Sequence, residues 1–174
     1  MSAAGIPEVI HSYNVYKTGN QLIGLTGEVT LPDFDAMTET VSGAGILGEY
    51  EEVIIGMFGS MEQEIPFRVL DDDIFTLMNP TKVLDLTLRA SQQFTEKSSG
   101  AIDHKGIRIV VRGKQKNFKP GKMQNGSQMD ASVTIEVVYI MIEIGGIQKI
   151  ELDKLNFVYK VNGVDLLEKV RKQC

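Results

Sequence analysis

Residues 129–144, MDASVTIEVVYIMIEI, followed by Gly145-Gly146 and by IQKIELDKLNFVYKV at 147–161, decide the fold class of this chain. The first segment is much longer than the usual strand of about five or six residues. Its odd positions are Met129, Ala131, Val133, Ile135, Val137, Tyr139 and Met141, while Asp130, Ser132, Thr134 and Glu136 alternate with them. Beyond Glu136 the even positions become apolar as well, at Val138, Ile140 and Ile142. That switch predicts a strand half open to solvent and half covered on both faces. Gly145-Gly146 suits a two-residue hairpin turn with φ > 0, so 147–161 is expected to return as the partner strand.

The same period of two recurs elsewhere, and it is the primary signal of strand structure. Gln21 to Leu31 sets Ile23, Leu25, Val29 and Leu31 against Thr26, Glu28 and Thr30. Glu62 to Leu70 sets Ile65, Phe67 and Val69 against Glu62, Glu64 and Arg68, with Pro66 requiring an edge or a bulge. Val83 to Phe94 alternates Leu84, Leu86, Leu88 and Ala90 with Asp85, Thr87, Arg89 and Ser91. Gly106 to Arg112 and Gln115 to Met123 read as two strands joined around Gly113, with Lys-Pro-Gly-Lys at 119–122 as turn chemistry. Helices are few. Asp71 to Asp73 suit an N-cap and first turn of a helix reaching Met78, stopped by Asn79-Pro80. Val164, Leu167, Val170 and Arg171 have helical spacing at the C-terminal end. No Pro/Gly/Ser-rich linker or repeat divides the chain, so 1–174 is read as one domain with 163–174 as a C-terminal helix or tail.

Composition excludes several classes. The 174 residues are 43% hydrophobic and 24% charged, ordinary for a soluble globular chain, and no window approaches the roughly 20 apolar residues of a membrane helix. MSAAGIPEVIHSY at the N-terminus has no basic region followed by an apolar stretch, so no secretory signal is expected. Cys174 is the only cysteine, which removes disulfides and multi-cysteine metal sites. A net charge of −5 argues against a dedicated nucleic-acid binder, because counterion release rewards clustered Lys and Arg.

Reactive constellations are missing as well. His11 and His104 stand alone without metal-ligand spacing. Asp71 to Asp73 lacks the calcium-loop pattern and reads as helix capping. No Gly-x-Ser-x-Gly or Ser-x-x-Lys occurs. An enzyme is not expected, nor is a cofactor. Lys105 to Lys122 is a basic stretch in an acidic chain, and with Phe118 as its one stacking ring it reads as a protein-docking patch more than a single-strand groove. Thr38 to Val53, TETVSGAGILGEYEEV, reads as a long loop whose Gly43, Gly45 and Gly48 permit φ > 0 or a close approach. A loop of this length in a compact domain usually contacts something.

Four segments, in order, resemble the major tail tube proteins of contractile-tailed bacteriophages and the related phage-tail-like bacteriocins. Asn14-Val15-Tyr16-Lys17-Thr18-Gly19 is similar to the family's opening Asn-x-Tyr-x-x-Gly, and Gly24 to Pro32 to its first core strand. Ser42 to Gly48 resembles its Gly-Ala-Gly-Met-x-Gly motif, with Ile46 in the methionine position, and Leu86 to Ala90 its Leu-x-x-Arg-Gly/Ala strand. The matches span the first half of the chain.

The resemblance implies a mainly β, tail-tube-type sandwich or barrel with one or two short helices. It also implies six-membered rings that stack into the inner tube of a contractile tail, a conduit for DNA delivery or membrane puncture. The 38–53 loop is then an assembly loop, with Gly43, Ala44, Gly45, Ile46, Leu47, Gly48, Glu49 and Tyr50 at the contact. Candidate lumen residues are Glu28, Glu62, Glu64 and Asp85, whose charge would repel phosphate. Arg112, Lys114, Lys116, Lys119 and Lys122 are the candidates for an outer or inter-ring patch. Implied partners are other copies of the chain, sheath, baseplate, terminator and tape measure proteins, and DNA held without sequence preference. The implied location is the virion tail, assembled in the host cytoplasm. The ring-forming tube of a type VI secretion system is the alternative, and a monomeric ligand-binding sandwich a third reading.

Overall fold

The computed structural model describes residues 5–22 and 24–174. The first four residues of the N-terminal segment, and Ile23 of the expected 21–31 strand, lie outside the described residues. The chain is antiparallel β throughout, with two short helices. In order it runs β1 (Gly5–Lys17), β2 (Asn20–Gln21), β3 (Ala36–Ser42), β4 (Glu49–Phe58), β5 (Glu62–Phe67), α1 (Asp72–Phe75), β6 (Leu84–Glu96), β7 (Ile102–Lys119), β8 (Ala131–Ile144), β9 (Ile147–Asp153), β10 (Val158–Val161), β11 (Val164–Asp165) and α2 (Glu168–Gln173). The main sheet has the order β11-β10-β9-β8-β7-β6-β1-β2, and β5 joins β8 beside β9; β3 and β4 pair only with each other.

The sheet curls until its two sides meet. Leu22 N donates to Val15 O at 2.8 Å, Arg68 N to Gly24 O at 2.9 Å, and Leu25 bridges to Phe67. A hydrogen-bonded circuit therefore runs from β1 through 22–26 to β5, and back by β8, β7 and β6. Inside it lie Val15, Leu22, Ile65, Phe67, Leu84, Leu86, Leu88, Ile109, Val111, Val133 and Ile135. Ile74 and Leu77, at and just after α1, are buried in the same core. Asp71 caps α1 by accepting from Asp72 N, as its sequence position predicts. Pro66 costs no ladder bond, because it sits on the edge strand β5, where its carbonyl accepts from Thr26 N.

Several expectations need correction. Residues 24–31 do not form a ladder strand: Leu25 and Val29 pack partly against the core, but Leu25 alone makes a bridge. Gly113 is no turn. β7 passes straight through it, and a Cβ there would stand 2.0 Å from Glu136 O, so the glycine permits close strand approach at a bulge. The parity switch in β8 is that same bulge. The register slips between Arg112↔Tyr139 and Gly113↔Val137, leaving Val138 over. The inward face thus passes from Val133, Ile135 and Val137 to Ile140, while Met141 and its cross-strand partner Val110 are buried on the outward face, so both faces are covered there as expected. The 145–146 turn forms as expected, with φ of 59° and 80°, but its return breaks into β9 and β10 around a turn where Asp153 Oδ1 accepts from Leu155 N and Asn156 N. The C-terminal helix begins only at Glu168, after β11. β1 escapes the periodicity because Glu8 and His11 are bulged residues that break its alternation.

The C-terminal elements anchor the base of the β3–β4 hairpin. Phe58 meets the rings of Phe34 and Tyr159 edge-on at 5.6 and 5.3 Å. Gly56, with φ of 78°, lies under Leu167, whose Cδ1 would be 2.7 Å from any Cβ. Arg171 holds this end in place, donating to Asp165 and to Phe157 O. The Arg171 hydrogen bond keeps the Asp165 carboxyl below its ordinary range.

Gly113→Ala is expected to lower stability by about 1–3 kcal/mol or more, since backbone must move to admit the methyl; chemical denaturation of the unassembled chain measures it. Asp165 has a depressed folded pKa, so its stabilising contribution is complete above its ordinary value of 3.8 and fades as pH falls through the folded value. Acidification below that value should lower the amide protection factors, taken relative to the intrinsic rate at each pH, across 165–173 ahead of the barrel strands. Uniform exchange over both regions would contradict this role.

Candidate assembly arm and charged face

The 38–53 stretch is a β-hairpin arm, not a loop. Ser42 pairs with Glu49, Val41 with Tyr50 and Thr38 with Val53, and only 43–48 form the tip. Gly43, Gly45 and Gly48 have φ of 135°, 87° and 86°, values that side chains rarely adopt. Ile46 N closes the turn on Gly43 O at 3.2 Å. Leu47 at the apex is fully exposed, and Ile46 partly so. Both faces of the arm are open: Met37, Tyr50, Val53, Ile55 and Met57 are exposed large hydrophobics.

The arm is unstable electrostatically as well as by exposure. Glu39 and Glu52 stand directly opposite, and like charges in such a pair oppose pairing by about 0.2–1 kcal/mol. No Lys or Arg occurs between Lys17 and Arg68 to offset them. A lone two-stranded hairpin is marginal in water, and β3 and β4 pair only with each other among the described residues. The signal was present in the sequence: TETV and EYEEVII are rich in β-branched residues, but the glycines between them dominated the reading.

Away from the arm, the outward face of the long strands is a mosaic of paired charges. Arg112 Nε lies 3.2 Å from Asp85 and its guanidinium 4.5 Å over the Tyr139 ring. Lys116 bonds Glu62 and, at 3.2 Å, Glu136. Arg108 meets Glu143 at 2.7 Å. Lys119 shares a polar cleft with Glu62, Glu64 and Lys116, and Lys122 stands 3.5 Å from Asp130. Lys114 is exposed on the same strand, opposite Glu136, and Glu28 is exposed in the 24–31 segment.

This placement corrects one expectation. Asp85 and Glu62 cannot line one surface while Arg112 and Lys116 line another, because they are ion-paired partners on the same face. The pairing also moves their proton affinities. Hydrogen bonds to Glu62 and Glu136 raise the Lys116 pKa. Burial pushes Glu136 upward, but Ser60, which donates at 2.8 Å, and Lys116 and Lys154 together bring it below the ordinary range. Burial, then Glu151, raises Tyr139.

The histidines do not stand alone: His11 and His104 meet edge to face with ring centres 5.8 Å apart across β6. Among the described residues no group of three or more His, Cys, Asp or Glu side chains is arranged to hold a metal ion. A surface that the sequence reading missed is the far edge of β1. Among the described residues its cross-strand partners on that side are at Val15 to Lys17, and the edge of Gly5 to Asn14 has no strand partner among them, with Ile6, Val9 and Ile10 exposed.

The chain is 28% identical over 170 residues to the tail tube protein of Escherichia phage P2, covering 96% of each. It is 23% identical over 162 residues to the major tail tube protein of Serratia phage KSP20, covering 92% of this chain and 91% of that one. The family model described as phage tail tube protein FII matches residues 7–174. That match takes in the barrel, the arm and α2, and the chain belongs to this family of structural, non-enzymatic phage tail tube proteins.

Proposed function

We propose that copies of this chain close into six-membered rings and that the rings stack into the inner tube of a contractile tail, surrounded by a sheath. The observation that carries the reading is the arm. Its large apolar side chains Leu47, Tyr50 and Val53 are exposed in the protomer, and it is anchored at the β9–β10 side of the sheet, while the β1 edge lies at the other. Two different patches at opposite ends make head-to-tail contact, which closes laterally into rings and stays open axially as filaments. Interfaces on the order of 2,000 Å² or more suit such a permanent assembly.

The tube serves as a conduit for DNA in a phage, or for membrane puncture in a headless particle. Its partners are sheath, baseplate and terminator proteins, with a tape measure protein in the lumen. Assembly takes place in the host cytoplasm. The charged face is assigned to the lumen, with Glu28, Glu62, Glu64 and Asp85 presented to DNA and Arg112 and Lys116 held by their acids. That pairing withdraws Arg112 and Lys116 from phosphate, and leaves Lys114 and Lys119 as cations of this face without an ion pair among the described residues. A tube reconstruction placing Asp85 and Glu62 against the sheath would sink this assignment. The type VI secretion reading is not favoured, since the family and both relatives are phage tail tube proteins.

Gly45→Val is expected to fold normally but not to polymerise, because valine is strained at φ of 87° and deforms the tip. Negative-stain microscopy at high concentration checks it. Tubes of normal length from the variant would defeat the assembly role of the tip, and a persistent monomer of the unaltered chain would defeat the tube itself.

A further inference from the structure

An apolar cleft of about 180 Å³ lies beside the β1 edge, lined by Ile10, Tyr13, Leu31, Ala90 and Ile107 among others. An apolar cavity of roughly 150 Å³ accepts a benzene-sized guest, so this cleft has room for a leucine side chain. Its walls come from β1, β6, β7 and the 29–31 segment. Ile10 and Leu31 in it are largely exposed, an unusual arrangement unless something covers them. Lys105 lies two residues along β7 from Ile107, on the same face. Its ammonium sits 4.9 Å over the Phe94 ring, and no carboxylate among the described residues is paired with it. Glu28 marks the opposite rim, where its charge acts on Tyr13.

We infer that this cleft is the seat for the Ile46–Leu47 tip of a second copy, an inference that rests on the assembly reading and adds its acceptor site. The fit is in shape and in charge. Leu47 is the most exposed large hydrophobic of the described residues, and it projects from a turn with no intrachain partner for it. Glu49 and Glu51 follow the tip, in a stretch with no cation of its own, and Lys105 offers them one beside the cleft. The seat lies at the β1–β6–β7 side of the sheet and the arm's anchor at the β9–β10 side. Each copy can then give its arm to one neighbour and receive an arm from another. The contact is therefore heterologous: between neighbours in a ring it closes after six copies, and between rings it continues along the tube.

Cysteine pairing tests the seat directly, because Cys174 is the sole native thiol and can be replaced by serine. In that background, Leu47→Cys combined with Ala90→Cys should give particles that, on oxidation, run as a covalent ladder on non-reducing gels. Each single-cysteine variant should stop at the dimer. Particles without a ladder, or an equal ladder when Ala90→Cys is exchanged for Val83→Cys elsewhere on the surface, would overturn the seat alone. Failure of the unaltered chain to form particles would overturn the assembly reading instead. As a second variant, Ala90→Phe fills the cleft with the tip left intact. Loss of pelletable tubes at an unchanged melting temperature is expected, and assembly at the parental level would refute the inference.

Discussion

The β7–β8 ladder is the constraint from which most of this structure follows. It pairs Ile107 with Ile144 at one end and Lys119 with Ser132 at the other. One face of it supplies the barrel core, and the other carries the paired charges. Two such long strands cannot stay flat, because sheets twist. The ladder accommodates the curl by slipping register twice, at Val138 and at Lys116. Gly113 beside the first slip admits the close approach of Glu136 O that this bend requires. With β8 bent, its free edge can serve β5 over one half and β9 over the other, and the circuit can close.

Much of the barrel was legible in the sequence because its inward residues obey a strict period of two. Leu84, Leu86 and Leu88, and Gln63, Ile65 and Phe67, face inward in the alternation that their spacing predicts. Legibility failed where a bulge shifts the period. β1 has two bulges within a few residues, and its exposed Ile6, Val9 and Ile10 follow no face pattern. In β8 a bulge at Val138 and a covered outward face at Met141 occur together. Both leave the same trace in one sequence, and only the partner strand separates them. The charged residues failed for a related reason. Nothing in the chain order brings Asp85 to Arg112 or Glu62 to Lys116; the strand register does.

The arm illustrates a different limit. Its glycines take the positive φ that their sequence allows, but a hairpin with both faces in water violates the expectation that strands bury one face. Val53, Ile55 and Leu47 are exposed in the protomer, and on the proposed assembly they form half of an interface core.

The arm leaves and re-enters the barrel at two points held together by the Gly59 N to Asp35 O hydrogen bond of 2.9 Å. Because that clamp closes beneath it, the barrel is indifferent to what is threaded above. Residues added in equal numbers to β3 and β4 would extend the reach by about 3.4 Å per pair. Pairs added two at a time keep every side chain on its present side; a single pair turns the tip over. Spacing between neighbours in such an assembly can thus drift in fixed increments over evolution while the core stays untouched, and the increments that preserve the apolar side are the even ones.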